Sequence, residues 1–358
     1  MEREIKGGFP HVPKGCYIEL QEKAQDYILS NIRQQLRRKD YLLDILRTLA
    51  EERGGEVPPL RSFLDAAHLE PEVFYNGKRL YLDLCAEAGL IERAPETKKV
   101  VQFRKMAWKL LSIDDEDWLA FLTAVLRDGE KRPGTHETAY LRMWNHTIWQ
   151  KDAAADPYDG LLTLRGQNAL CREIAAILTY QTERSEAEPK RLKTPYPCAL
   201  NVHATYSRDQ LFAALGVKNP EAIREGVKFL QPGNSMVSVP TDVFLVTLNK
   251  TAKDFSDTTR YEDYSISDRL FHWQSQSTIS PDSTTGTRYR EQNQNGTIVL
   301  LFVRETKQDV FRRAMPYTFL GTAHIVKSEG SRPMSIIYRL DEAIPARFLR
   351  VTDTSGVL

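Results

Sequence analysis

The 358-residue sequence is poor in cysteine: Cys16, Cys85, Cys171 and Cys198 stand far apart, and no two form a CxxC pair. Scattered single thiols exclude a disulfide framework and a zinc cage, and they fit a reducing compartment. Charge of one sign is missing too. Forty-nine Lys and Arg face 48 Asp and Glu, a formal charge of +1, which excludes a bulk electrostatic grip on nucleic acid but leaves room for a local basic patch. No apolar run reaches the roughly 18 residues that span a bilayer, and the charged start Met1-Glu-Arg-Glu-Ile-Lys-Gly-Gly has no apolar signal core. The expectation is a cytoplasmic chain with no membrane partner. Catalytic signatures are equally scarce. There is no GxxxxGK[ST] loop for a nucleoside triphosphate, none of the seven histidines opens an HxK triplet, and HExxH and GxSxG are absent. These gaps exclude an ATPase motor, a phospholipase-D-type nuclease, a zincin and an α/β-hydrolase. No cofactor is implied.

What is present is ordinary for a globular protein, with 41% hydrophobic and 27% charged residues and enough length for two or three domains. The pattern changes near residue 190. Before it, apolar residues recur at helical spacing: Ile18–Leu49 as a pair of helices, then a compact trio over Leu60–Ala67, Pro71–Tyr75 and Lys78–Ala88. Further helices are predicted over Phe103–Leu111, Asp114–Arg127 (with Asp114 as cap), Thr135–Trp149 and Arg165–Thr182. Glu183–Pro197, charged and proline-bearing, reads as a linker. Beyond it come short alternating runs between turn residues: Ala199–Thr205, Met236–Val239, Val243–Leu248, Leu270–Trp273, Thr297–Val303, Tyr317–Phe319, Ala323–Val326 and Met334–Leu340, with Ser207 placed to cap a helix through Leu215. Asp282–Gly286, Asn293–Gly296 and Glu329–Pro333 carry turn chemistry. The expected fold class is α+β, with a helical region over 1–190 and a strand-rich domain over 191–358 built as a curved sheet or small barrel.

One arrangement has catalytic potential. Pro281-Asp282 precedes a strand that ends at Glu305-Thr306-Lys307, the order in which metal-dependent nucleases place two carboxylates for Mg²⁺ and a lysine for the attacking water. The same residues also read as a plain turn and a solvated strand end.

The most distinctive blocks are Leu270-Phe271-His272-Trp273-Gln274-Ser275-Gln276-Ser277, Thr285-Gly286-Thr287-Arg288-Tyr289, Ile298–Glu305, Pro316–Gly321, Glu329-Gly330-Ser331-Arg332-Pro333-Met334 and, near the start, Pro13–Leu20. In this order they resemble the domain of unknown function at the C-terminus of superfamily II helicase-like proteins, among them single-chain ATP-dependent type IV restriction enzymes. The resemblance spans about Phe9 to Phe348. It implies a region that reads double-stranded DNA carrying 5-methylcytosine or 5-hydroxymethylcytosine, in restriction or antiviral defence, with the helical part coupling a motor to the reader. The nuclease and motor of such enzymes are absent here, so the resemblance implies either a fragment of a parent chain or a free-standing relative that works with a helicase or nuclease partner. A platform that docks onto a separate motor without touching DNA is the alternative.

Reading a modified base takes flat rings, an amide or carboxylate and a rotated-out base. Candidate rings are Phe271, Trp273, Tyr289, Tyr317 and Phe319; as strand residues, Phe271 and Trp273 share one face while His272, Gln274 and Gln276 share the other. Aromatics at such spacing also build cores. Gln274, Gln276 and Ser277 supply short donors and acceptors for DNA. Between Gly286 and Arg339, nine basic residues, seven of them Arg, face four acids. Arg288, Arg290, Arg312, Arg313 and Arg332 are the expected DNA contacts, since Arg binds phosphate or guanine bidentately. Lys78 and Arg79, at the start of the last trio helix, and Arg37-Arg38-Lys39 are further candidates for phosphate.

Overall fold

The computed structural model describes residues 39–128, 134–184, 190–249, 263–309 and 311–349. The predicted helix before Lys39, the Pro13–Leu20 block, Cys16, Arg37 and Arg38 lie outside the described residues. The chain is α+β and divides into two compact units, which part between Glu188 and Pro189.

The first unit is helical. Its elements are α1 (Lys39–Glu51), α2 (Leu60–Ala66), α3 (Pro71–Phe74), α4 (Tyr81–Glu87), α5 (Lys98–Met106), α6 (Glu116–Asp128), α7 (Thr135–Trp149), α8 (Pro157–Arg165) and α9 (Asn168–Thr182). Each buries one apolar stripe, as Leu42, Leu43, Leu46 and Ala50 do on α1. Helix α6 is capped by Asp115, whose Oδ1 accepts from Trp118 N–H at 3.1 Å, not by Asp114. The helix expected over Arg165–Thr182 starts at Asn168 as α9, and it is preceded by a helix that the pattern did not mark, α8, which ends at Gly166. Helix α8 packs closely because Gly160 has no side chain: a Cβ there would lie 2.2 Å from Asn145 Oδ1.

In the trio, the start of α4 is not presented to solvent as a helix-turn-helix reading would place it. Lys78 and Arg79 precede α4 instead of opening it, and the first amides of α4 are turned inward. Tyr81 N–H and Leu82 N–H both donate to the buried carboxylate of Glu173 on α9, at 2.8 Å each, and Tyr75 Oη donates to it at 2.6 Å. A recognition helix presents its N-terminal residues to base edges, whereas here Tyr81 is core.

The second unit is a mixed sheet. Its strands are β1 (Lys190–Arg191), β2 (Asn201–Val202), β3 (Thr205–Tyr206), β4 (Val227–Leu230), β5 (Thr241–Thr247), β6 (Tyr264–Ser265), β7 (Leu270–Gln274), β8 (Ile298–Arg304), β9 (Tyr317–Glu329) and β10 (Ser335–Leu340). The main sheet runs β4-β5-β8-β9-β10-β7-β6, with β3 added on β9; β5 and β8 are parallel and the other pairs antiparallel. Among the described strands it is an open sheet ending in β4 and β6, with Ser265 of β6 also bridged to Leu349. Helix α10 (Arg208–Ala214) starts at Ser207, which forms a capping box with Gln210. Helices α11 (Thr284–Arg290) and α12 (Gln292–Asn295) lie between β7 and β8.

Three expectations about elements are corrected. The two strands over Tyr317–Phe319 and Ala323–Val326 are one 13-residue strand, which passes Gly321 at φ +93° beside a register shift; a bulge bends a strand without ending it. Met236–Val239 is bends, not strand. The turn chemistry of Asp282–Gly286 starts a helix, with Ser283 Oγ accepting from Gly286 N–H at 3.1 Å.

Alternation gives the sheet two faces. Asp242, Phe244 and Val246 of β5 share one with Val299, Leu301 and Val303 of β8, Phe271 and Trp273 of β7, and Ile336, Tyr338 and Leu340 of β10. All but Asp242 belong to one apolar core, with Tyr289 of α11 packed into it. The opposite face carries Leu300, Phe302 and Arg304, beside Tyr317 and Phe319 of β9.

Candidate functional site

The first face of the sheet holds a cluster that combines rings with buried polar groups. Phe244 and Trp273 stack with centroids 4.2 Å apart at 16°. Tyr289 meets Phe244 edge-on at 5.7 Å and Trp273 at 5.4 Å, and Tyr338 meets Phe244 edge-on at 5.7 Å. Beside these rings lies Asp242, 0% exposed on β5. Arg288 of α11 grips its carboxylate with two bonds, Nε to Oδ2 at 2.9 Å and Nη2 to Oδ1 at 3.0 Å, while the guanidinium lies over the Phe229 ring at 3.8 Å. Burial pushes the Asp242 carboxyl above its ordinary range, against the downward pull of Arg288. The Tyr289 hydroxyl adjoins the Gln276 amide and is pushed up by burial, then by the charge of Asp242; Tyr338 is raised by the same two causes in the same order.

Two polar atoms of this cluster are unsatisfied. Gln276 Oε1 and the Tyr338 hydroxyl are buried without a hydrogen-bond partner. Leaving such a group unmade costs about 1–3 kcal/mol, so two beside one carboxylate form a place where a ligand with matching donors recovers energy.

The sequence candidates are distributed unevenly around this cluster. Trp273, Tyr289, Gln276 and Arg288 are brought together. Phe271 is in the same core but fully covered. Tyr317 and Phe319 are also buried, on the other face of the sheet: Phe319 stacks on Phe302 at 4.4 Å, and Tyr317 lies under Arg304 at 4.3 Å. The five rings therefore do not line one pocket.

The basic segment is corrected in the same way, because several of its arginines hold the fold together. Arg288 is bound to Asp242, Arg313 is paired with Asp309 at 2.7 Å, and Arg304 is buried with bonds to Thr247 Oγ1 and Met315 O. Arg290 is exposed, 3.6 Å from Glu291. Arg312 and Arg332 are exposed. Ser277 is exposed, and Gln274 is half-buried on the outer side of β7, its N–H donating to Asp263 Oδ1 at 2.9 Å.

The nuclease arrangement is not assembled. The Asp282 turn is tied to the hairpin beyond β9, through Arg332 N–H to Ile279 O at 3.0 Å. Lys307 O instead accepts from Met315 N–H at 3.1 Å, just before β9 begins. Asp282 thus lies towards one end of β9, and Glu305 and Lys307 towards the other. Among the described residues no cluster of three or more His, Cys, Asp or Glu could hold a metal ion.

Residues 200–350 match the family described as Domain of unknown function (DUF3427). The match covers less than half of the chain and takes in the sheet from β2 to β10, together with the whole ring cluster. No curated protein matches the sequence. No helix among the described residues is long and apolar enough to cross a membrane.

Asp242, Phe244 and Tyr338 of the matched region join the cluster and are not among the sequence candidates. Each carried a faint signal. Asp242 is the one charge heading the apolar run Val243–Val246, and Tyr338 is the one polar-tipped residue on the inward phase of Ile336-Tyr338-Leu340.

Proposed function

We propose that the second unit is a non-catalytic DNA-recognition module that reads modified cytosine, 5-methyl or 5-hydroxymethyl, for a helicase-linked restriction or antiviral defence system in the cytoplasm. The observation that carries this reading is the ring cluster with its buried carboxylate and two unsatisfied polar atoms. A rotated-out cytosine offers an exocyclic amine to Asp242 and Gln276 Oε1, and its carbonyl to the Tyr338 hydroxyl. Trp273 and Phe244 supply ring faces. At 4.2 Å they are closed on one another, and they part to about 7 Å to sandwich a base at two van der Waals contacts. The exposed Arg290, Arg312 and Arg332 supply phosphate contacts around the same unit. The helical unit couples this reader to a separate motor or nuclease.

The test is fluorescence anisotropy with one duplex carrying cytosine, 5-methylcytosine or 5-hydroxymethylcytosine, across a salt series without Mg²⁺. A modified form is expected to bind more than about tenfold tighter, ~1.4 kcal/mol. Tyr338→Phe is expected to erase most of that preference. It deletes only an unpartnered hydroxyl, so its melting temperature stays at or above the wild-type value. Equal affinity for the three duplexes overturns the reading.

A further inference from the structure

The outer face of the same sheet carries a second feature that the ring cluster does not use. Tyr264 of β6, His272 of β7, Ile337 of β10 and Lys327 of β9 are paired in register and form one row across four strands. Strand alternation sends these side chains away from the core that holds Phe271 and Trp273. The Tyr264 and His272 rings stack at 4.7 Å and 23°, and both are half-exposed. The neighbouring rows are Gln274, Ser335 and Glu329 on one side and Leu270, Arg339 and His324 on the other. Among the described residues, β2 and β3 meet the sheet at the beginning of β9, through His203 N–H to Phe319 O and the pairing of Thr205 with Thr318.

The chemistry of this face fits a nucleic-acid strand better than a protein surface. It is a stacked ring pair flanked by Gln274, Ser335, Glu329, Arg339 and His324, with Ile337 as the one aliphatic residue of its row and Leu270 in the next. Its border is basic: Lys327 forms an ion pair with Glu329 at 2.7 Å, while among the described residues neither Arg339 nor the exposed Arg332 is ion-paired. Of the carboxylates nearby, Asp341 is held by Thr322 and His324, and Asp263 accepts from Gln274 N–H. Rings on an open sheet face, with cations at the rim, are how proteins stack unpaired bases while tracking the backbone.

We infer that this outer face binds single-stranded DNA of two or three nucleotides, stacking a base on the Tyr264–His272 pair with phosphates near Arg332 and Arg339. The inference rests on the DNA-reading function proposed above and assigns it a second surface, for a strand already unpaired, on the opposite side of the sheet from the ring cluster.

The test uses the full chain and a fluorescein-labelled 12-nucleotide oligo-dT, with the three duplexes measured in parallel. Oligo-dT is expected to bind with a steep salt dependence. Tyr264→Ala and His272→Ala are each expected to weaken it by at least about fivefold, the lower end for loss of one stacked base, and to leave the preference among duplexes unchanged. Tyr264→Phe, which keeps the ring, is expected to retain binding. Absence of oligo-dT binding, or binding that neither alanine variant weakens, overturns the inference. If duplex discrimination persists in that case, only the second surface fails; if it is also missing, the reading beneath it fails as well.

Discussion

At the scale of single residues, the buried charges set the most testable behaviour. Asp242 is committed to Arg288 by two short bonds inside an apolar core. Removing the guanidinium strands a carboxylate, so Arg288→Ala is expected to cost about 3–5 kcal/mol in urea unfolding, more than an exposed ion pair such as Lys327–Glu329 provides. Replacing both partners by apolar residues, Asp242→Leu with Arg288→Met, is expected to restore much of that loss. In the first unit Glu173 has a different signature. Burial pushes its carboxyl up to about 7, against three hydrogen bonds that pull it down. The folded state therefore keeps this proton between about pH 4.5 and 7, where the unfolded chain has released it. More protons bound in the folded state means that stability falls as pH rises across this window and levels off above it. Unfolding curves collected from pH 4.5 to 8 are expected to show that decline in the wild type and to lose it in Glu173→Gln; a flat wild-type profile contradicts the assignment.

At the scale of elements, helix starts depend on one or two atoms, and only some of them were legible. Ser207 was readable as a cap because it precedes an apolar run with Gln three residues on, and Ser207→Ala is expected to cost about 1 kcal/mol in thermal unfolding. Helix α11 was not legible: Ser283-Thr284-Thr285-Gly286 has turn composition and weak helix propensity. It forms because Gly286 lets the helix approach the preceding turn, where a Cβ would lie 2.0 Å from Ser280 O. That contact is with backbone and does not yield easily, so Gly286→Ala is expected to destabilise by about 1–3 kcal/mol and to loosen Arg288 and Tyr289 with it. The merging of two short runs into β9 was equally hidden. A glycine between apolar stretches reads as a break, and only pairing with β8 on one side and β10 on the other carries the strand through.

At the scale of the whole molecule, the change of pattern near residue 190 was visible from composition, because helical and alternating periods are properties of the chain itself. The same property made Phe271 and Trp273 legible as a pair on one strand face, whereas Tyr289 sits in a segment without apolar phase. Trp273 is the one tryptophan after residue 190, and it offers a direct readout. In a fragment spanning 190–358 its emission is expected to shift when a modified duplex is added, as the Phe244 stack opens, and to stay unchanged with unmodified DNA. What the sequence by itself determined is fold class, the order of most elements and which apolar faces are buried, since each follows from local periodicity and composition. Which buried residues meet was decided by tertiary structure alone. Strand order places Asp242 beside Arg288, sends Tyr317 and Phe319 to the opposite face from Trp273, and sets Asp282 and Glu305 towards opposite ends of β9. Spacing along a chain carries no information about such non-local pairing, so the ring cluster and the outer row exist only in the folded sheet.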